Sequence, residues 1–262
     1  MTNLRYFFYL SLLILMTKNI YFASDFHLGS PSHQESRKRE DRIIRWLNAI
    51  ESSCAELFLM GDIFDFWFEY REVVPKGFVR LQGKLASMTD AGIKIYFFKG
   101  NHDMWVRDYF TTEMGIEIIS DEMVMERNGK SFYLHHGDGL GPGDEKYKLL
   151  RKVFRNPVCQ WLFSIVPPRI GLGIANWWSG SSRVANKTEE AFHGEEFEWL
   201  AIYAKELLQK RHYDYFVFGH RHLPLEINLN GKSKYVNLGE WINFNSYAVF
   251  DGKELTLNYF EK

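Results

Sequence analysis

Short clusters of carboxylate, amide and imidazole side chains recur along this chain, each following a hydrophobic run. They are Asp25-Phe26-His27, Gly61-Asp62-Ile63-Phe64-Asp65, Gly100-Asn101-His102-Asp103, His135-His136-Gly137-Asp138 and Gly219-His220-Arg221-His222. Oxygen donors mixed with imidazole nitrogens suit borderline and hard divalent cations. Two such cations side by side, ~3.5–4 Å apart, clamp the oxygens of a phosphoryl group and acidify a bridging water to a hydroxide nucleophile. A single Asp-x-His is weak evidence, and a lone histidine is more often structural. Five clusters in this order between residues 25 and 222 point to one composite site. Asp62 is the natural bridge between two ions, since a carboxylate offers two oxygens. Asn101 adds a neutral oxygen, which keeps the net charge low enough to attract a phosphate. The predicted chemistry is metal-assisted phosphoester hydrolysis.

Such ligands need stiff supports. Strands are predicted over residues 20–23, 56–60, 94–98, 131–134 and 215–218, and each delivers one cluster. Helices are predicted over 35–50, with Ile43, Ile44, Trp46, Leu47 and Ile50 on one face, over 78–91, closed by Gly92, and over 192–210. The tail reads as antiparallel strands near 225–228, 234–237, 246–250 and 255–259, with Asp251-Gly252 as a hairpin turn. Strands alternating with helices, followed by a meander, predict an α/β fold of two sheets in a sandwich. Loops at the carboxyl ends of its strands converge on one edge.

The chain has 262 residues, 46% of them hydrophobic, enough for a substantial core. Its net charge of −1 argues against non-specific polyanion binding, with room left for a local basic patch. Cys54 and Cys159 form no Cys-x-x-Cys pattern and read as reduced thiols in a reducing compartment. Residues 6–16 are an apolar run shorter than the ~18–20 that a spanning helix needs. Only Arg5 precedes it as a positive charge, and Ala23, the clearest small residue after it, lies inside a predicted strand. The expectation is an extension over 1–15, with translation starting at Met16 and the domain over 16–262; a short N-terminal anchor is the alternative.

The five clusters resemble those of the calcineurin-like metallophosphoesterases, from residue 20 through most of the chain. The resemblance implies an α/β/β/α metallophosphoesterase sandwich with a helical insertion, a lid, over about 145–190. It assigns Asp25, His27, Asp62 and His222 to a first ion and Asp62, Asn101, His136 and His220 to a second. The expected ions are two divalent metals, Mn²⁺ by preference. His102 is expected unligated beside the scissile phosphate, stabilising charge or protonating the leaving group, with Asp103 orienting its ring. Asp65 and Asp138 are expected to support ligands, and His135 to point away. His33, His193 and His212 lie outside the clusters.

Within that superfamily the chain is similar to the branch that hydrolyses the pyrophosphate of UDP-2,3-diacylglucosamine to UMP and 2,3-diacylglucosamine 1-phosphate in lipid A assembly. The likeness rests on Phe66-Trp67-Phe68 after the second cluster, on His136-Gly137-Asp138-Gly139, and on the segment before the last cluster. That segment includes Arg155-Asn156-Pro157, Gln160-Trp161-Leu162-Phe163 and Ser181-Ser182-Arg183-Val184-Ala185-Asn186-Lys187. Its large apolar residues among Arg151, Lys152, Arg155 and Arg169 suit acyl chains and anionic headgroups, although apolar helical stripes more often pack a core. By likeness Asn101, Arg183, Asn186 and Lys187 contact an acylated UDP-sugar. The enzyme then works peripherally on the cytoplasmic face of the inner membrane of a Gram-negative bacterium. One residue departs: His102 stands where that branch carries arginine. The alternative is a soluble metal-dependent phosphodiesterase or nucleotide pyrophosphatase without a lipid substrate.

Overall fold

The structure is a computed structural model that describes residues 18–142, 145–171, 173 and 191–261. The apolar run over 6–16, the expected start at Met16, and Arg183, Asn186 and Lys187 lie outside the described residues.

In chain order the first layer is built from β1 (Asn19–Ala23), α1 (His33–Ile50), β2 (Cys54–Leu59), α2 (Val79–Asp90), β3 (Lys94–Phe98), α3 (Tyr109–Met114) and β4 (Glu117–Ile119). The second sheet begins with β5 (Met123–Arg127) and β6 (Lys130–His135). The insertion contributes α4 (Glu145–Arg155) and α5 (Pro157–Ile165). There follow α6 (Trp199–Leu208), β7 (Tyr215–Phe218), β8 (Pro224–Asn228), β9 (Lys234–Leu238), β10 (Ser246–Phe250) and β11 (Leu255–Tyr259). One sheet has the order β11-β10-β1-β2-β3-β4, the other β5-β6-β7-β9-β8. β1 to β4 run parallel, as do β6, β7 and β9.

Side-chain alternation separates the layers. Ile20, Phe22, Phe58 and Met60 of the first sheet meet Phe132, Leu134, Val217 and Val236 of the second in one core. The intervening Tyr21, Ala23, Leu57 and Leu59 face Ile43, Trp46, Leu47 and Ile50 of α1. On the far side Tyr133, Phe216 and Tyr235 pack on Leu200, Ala201 and Ala204 of α6. These are the four layers of an α/β/β/α sandwich. Ser32 caps α1 by accepting from the Glu35 N–H. The expected turn at Gly92 is present, with φ +85°.

Two expectations are corrected. The helix predicted over 192–210 begins only at Trp199, because Gly194 (φ +117°) turns the chain and buried Glu198 pairs with Arg221 at 3.0 Å. The tail is not one meander. β8 and β9 join the second sheet, with β9 parallel to β7, while the hairpin β10–β11 adds to β1 in the first. Cys54 and Cys159 are free thiols, and burial pushes that of Cys54 up to about 12.

The insertion is amphipathic. Asn156 caps α5 through the N–H groups of Val158 and Cys159. Leu149, Val153, Val158, Trp161, Leu162, Ile165 and Ile170 are 44–65% exposed, so these residues do not pack into the sandwich. Among the described residues no helix is long and apolar enough to cross a membrane.

Candidate metal centre

The five clusters leave the carboxyl ends of β1, β2, β3, β6 and β7, and their donor atoms meet beyond those strand ends. Backbone bonds lace them together. The Asp25 N–H donates to the Gly61 carbonyl at 3.0 Å, His27 N–H to Asp62 at 2.9 Å, and Gly219 N–H to His136 at 2.8 Å. These contacts hold Asp25, His27, Asp62, His220 and His222 in the left-handed region, with φ between +44° and +66°. Each such non-glycine residue costs on the order of 1–3 kcal/mol, a strain that concentrates at functional sites. Two glycines permit the crowding: a Cβ at Gly100 would overlap the Asp62 carboxylate, and one at Gly219 the Ser24 hydroxyl.

Each carboxylate has one anchored oxygen. Asp25 Oδ2 accepts from the His220 N–H at 3.0 Å, and Asp62 Oδ1 from the His102 N–H at 2.8 Å. Their other oxygens face imidazoles. Asp25 Oδ1 lies 3.1 Å from His222 Nε2 and 3.5 Å from His27 Nε2. Asp62 Oδ2 lies 3.4 Å from His136 Nε2 and 3.9 Å from His27 Nε2. Asp62 turns one oxygen, Oδ2, toward imidazoles of both groups. Asn101 Oδ1 is 3.2 Å from His136 Nε2. His136 Nδ1 donates to the Met60 carbonyl at 2.8 Å, which fixes the tautomer that leaves Nε2 free to ligate.

Asp25, His27, Asp62 and His222 bring donor atoms within 4.8 Å of one another, and so do Asp62, His136 and His220. Asp25 Oδ1 and Asp62 Oδ2 are buried without a hydrogen-bond partner among the described residues. Both oxygens face only imidazole nitrogens, and a cation between carboxylate and imidazole would satisfy the two together. The donor set around Asp62 fits divalent metal.

Electrostatics agree. Burial disfavours the charged imidazolium of His27, but the neighbouring carboxylates of Asp25, Asp65 and Asp62 outweigh it and push it up to about 10. His136 is likewise pushed up to about 10, burial being overcome by Asp62. Burial opposes ionisation of Asp25 and Asp62, yet His222 holds the first and His136 the second well below the carboxylate range. Burial and the neighbouring His136 push His220 down to about 4. Two imidazolium charges take the place of cations in the metal-free protein.

His102 sits beside the centre with its ring 4.9 Å from that of His27, and burial lowers its proton affinity. The expected role of Asp103 is corrected. Its carboxylate accepts from the backbone N–H groups of Ile63 and Gly100, both at 2.8 Å, and of Asp62 and Phe64, both at 3.3 Å. It clips the β2 loop to the β3 loop, while the Asp65 carbonyl, 2.9 Å from Nδ1, orients the His102 ring. The Asp65 carboxylate is 3.7 Å from His27 Nδ1, and its donor atom clusters with those of His27 and His102. His135 accepts from the Gly137 N–H at 2.8 Å, burial pushing it down to about 4. His33, His193 and His212 are exposed.

Two supports had no cluster to mark them. Arg39, buried on α1, donates to the His27 carbonyl at 2.6 Å, and Asn237 of β9 donates to the Gly219 carbonyl at 2.6 Å. The only sequence signal for Arg39 is a cation on the helix face that packs inward.

Residues 18–224 match the calcineurin-like phosphoesterase family. The UDP-2,3-diacylglucosamine hydrolase of Porphyromonas gingivalis is 40% identical, across 94% of this chain and 99% of its own. Those of Aliivibrio fischeri and Serratia proteamaculans are 26% and 29% identical, over 91% and 85% of this chain and 97% and 91% of theirs. The family match opens ahead of Asp25 and closes beyond His222, so it takes in both halves of the centre built around Asp62. The chain belongs to the calcineurin-like phosphoesterase family.

Proposed function

We propose that this metal-dependent hydrolase cleaves the pyrophosphate of UDP-2,3-diacylglucosamine, releasing UMP and 2,3-diacylglucosamine 1-phosphate. The observation that carries this reading is a near full-length likeness to UDP-2,3-diacylglucosamine hydrolase, 40% identical, in a chain with an exposed apolar insertion beside its metal centre. Two divalent ions, Mn²⁺ by preference, are held by Asp25, His27, Asp62 and His222 and by Asp62, Asn101, His136 and His220. When bound, they supply Lewis-acid polarisation of the phosphoryl oxygens and acidify water.

The chain's own residues do the rest. The Asp65 carbonyl accepts from His102 Nδ1 and leaves Nε2 unprotonated and available at the phosphoester, where it takes the proton lost by the attacking water and passes it to the leaving oxygen. Asn101, with Arg183, Asn186 and Lys187 of the insertion, holds the sugar diphosphate. Trp161, Leu162 and Ile165, with Lys152 and Arg155 nearby, take the acyl chains and rest on an anionic membrane surface. The working position is peripheral, on the cytoplasmic face of the inner membrane of a Gram-negative bacterium.

The test incubates purified protein and Mn²⁺ with UDP-2,3-diacylglucosamine, and with UDP-N-acetylglucosamine as the acyl-free comparison. UMP release from the acylated compound alone is expected. Equal or faster turnover of the acyl-free compound would leave a soluble phosphodiesterase or nucleotide pyrophosphatase instead.

A further inference from the structure

The insertion meets the metal-bearing loops at two points. One is apolar: the Phe163 ring of α5 lies 4.8 Å from the rings of Phe68 and Trp105. The other is polar and starts two residues beyond His136. The Asp138 carboxylate, 1% exposed, accepts from the Tyr147 hydroxyl at 3.0 Å and is ion-paired with Arg151, whose Nε lies 2.6 Å from the same oxygen. Tyr147 and Arg151 are four residues apart on α4, so one carboxylate grips a single face of that helix. Arg151 also reaches Asp121, between the two sheets, at 3.2 Å. The Tyr147 ring stands 6.3 Å from the ring of the metal ligand His220, inclined by 33°. The backbone is shaped for the contact. Gly139 has φ +71°, and a Cβ there would lie 3.2 Å from Arg151 Cδ. Asp138 belongs to neither group of ligand atoms around Asp62.

We propose that Asp138 is a positioning residue, which through Tyr147 and Arg151 sets the insertion against the His136–His220 side of the centre and so aligns the acylated end of the substrate with the phosphorus. This rests on the lipid-substrate reading. The strut undergoes no bond or proton change during turnover. Loosening it weakens binding of a substrate that spans insertion and centre, while the chemistry at the ligands continues. A buried carboxylate deprived of its cation is the weak point of such a strut.

The test uses the full chain loaded with Mn²⁺, with Tyr147→Phe, Arg151→Met and Asp138→Asn. Each is expected to raise KM for UDP-2,3-diacylglucosamine by about tenfold while kcat stays within about threefold. Asp138→Asn combined with Arg151→Met should add little to either alone, because both break one contact. Hydrogen exchange should accelerate across residues 147–155 and stay constant in β6 and β7. Unchanged KM, a fall in kcat alone, or unchanged exchange in α4 would overturn the proposal. If the unmodified protein fails to release UMP while α4 exchange responds as expected, the substrate reading fails and the strut stands.

Discussion

At the scale of single residues the centre turns on how two carboxylates divide their oxygens. Backbone N–H groups hold Asp25 Oδ2 and Asp62 Oδ1, leaving Oδ1 of the first and Oδ2 of the second buried and facing imidazoles. Asp25→Ala, Asp62→Ala and His136→Ala are expected to abolish turnover with the fold largely kept, which circular dichroism and an activity assay would check together. His27 and His136 hold protons up to about 10 without metal, against an ordinary value of 6.5. Metal must displace those protons, so apparent affinity rises with pH from neutrality toward 10, by up to about tenfold per unit for each proton released. Calorimetry in buffers of different ionisation enthalpy reads the protons directly. The same raised values stabilise the metal-free fold below 6.5, and that contribution is lost as pH climbs to about 10. The ligand types were legible in the sequence because metal chemistry accepts few donors. The direction of Asp103 was not, because four backbone N–H groups from two loops claim its carboxylate, and that claim exists only once the strands are side by side.

At the scale of elements, short hydrophobic strands read directly: β3 and β7, which end at ligands, and β10 and β11, which do not, all fall on the predicted residues. β4 and β5 went unread, since Glu117–Ile119 has only three residues and Met123–Arg127 alternates weakly, with one buried position. Both are edge strands, and pairing supplies the order their composition lacks. The insertion shows the opposite case. Its apolar stripes read equally as packing or as a lid, and the exposure of Trp161 and Leu162, 61% and 54%, decides against burial in the sandwich. Trp161→Ser with Leu162→Ser should therefore change stability by no more than about 0.5 kcal/mol each in chemical denaturation. The pair should also raise KM for the acylated substrate and reduce sedimentation with vesicles containing phosphatidylglycerol. A large loss of stability would show that the two residues pack a core after all.

At the scale of the whole molecule the candidate metal ligands are drawn from both sheets. Asp25, His27, Asp62 and Asn101 come from loops of the first sheet, and His136, His220 and His222 from loops of the second. Ligands bound only by the folded state stabilise it by mass action, about 2.7 kcal/mol for a site filled at a hundred times its Kd. Chelation should lower the melting temperature, and Mn²⁺ should restore it in a concentration-dependent way. The sandwich itself was legible from alternating strands and helices, whereas the division of the tail between two sheets depends on long-range pairing of β9 with β7 and of β10 with β1. The most direct test of the account is the metal content of the purified chain and of Asp62→Ala, measured by mass spectrometry alongside turnover. Two ions per unmodified chain, with less than one and no turnover in Asp62→Ala, is the predicted result. A single ion in the unmodified chain, or an unmodified rate in Asp62→Ala, would contradict a centre shared across Asp62.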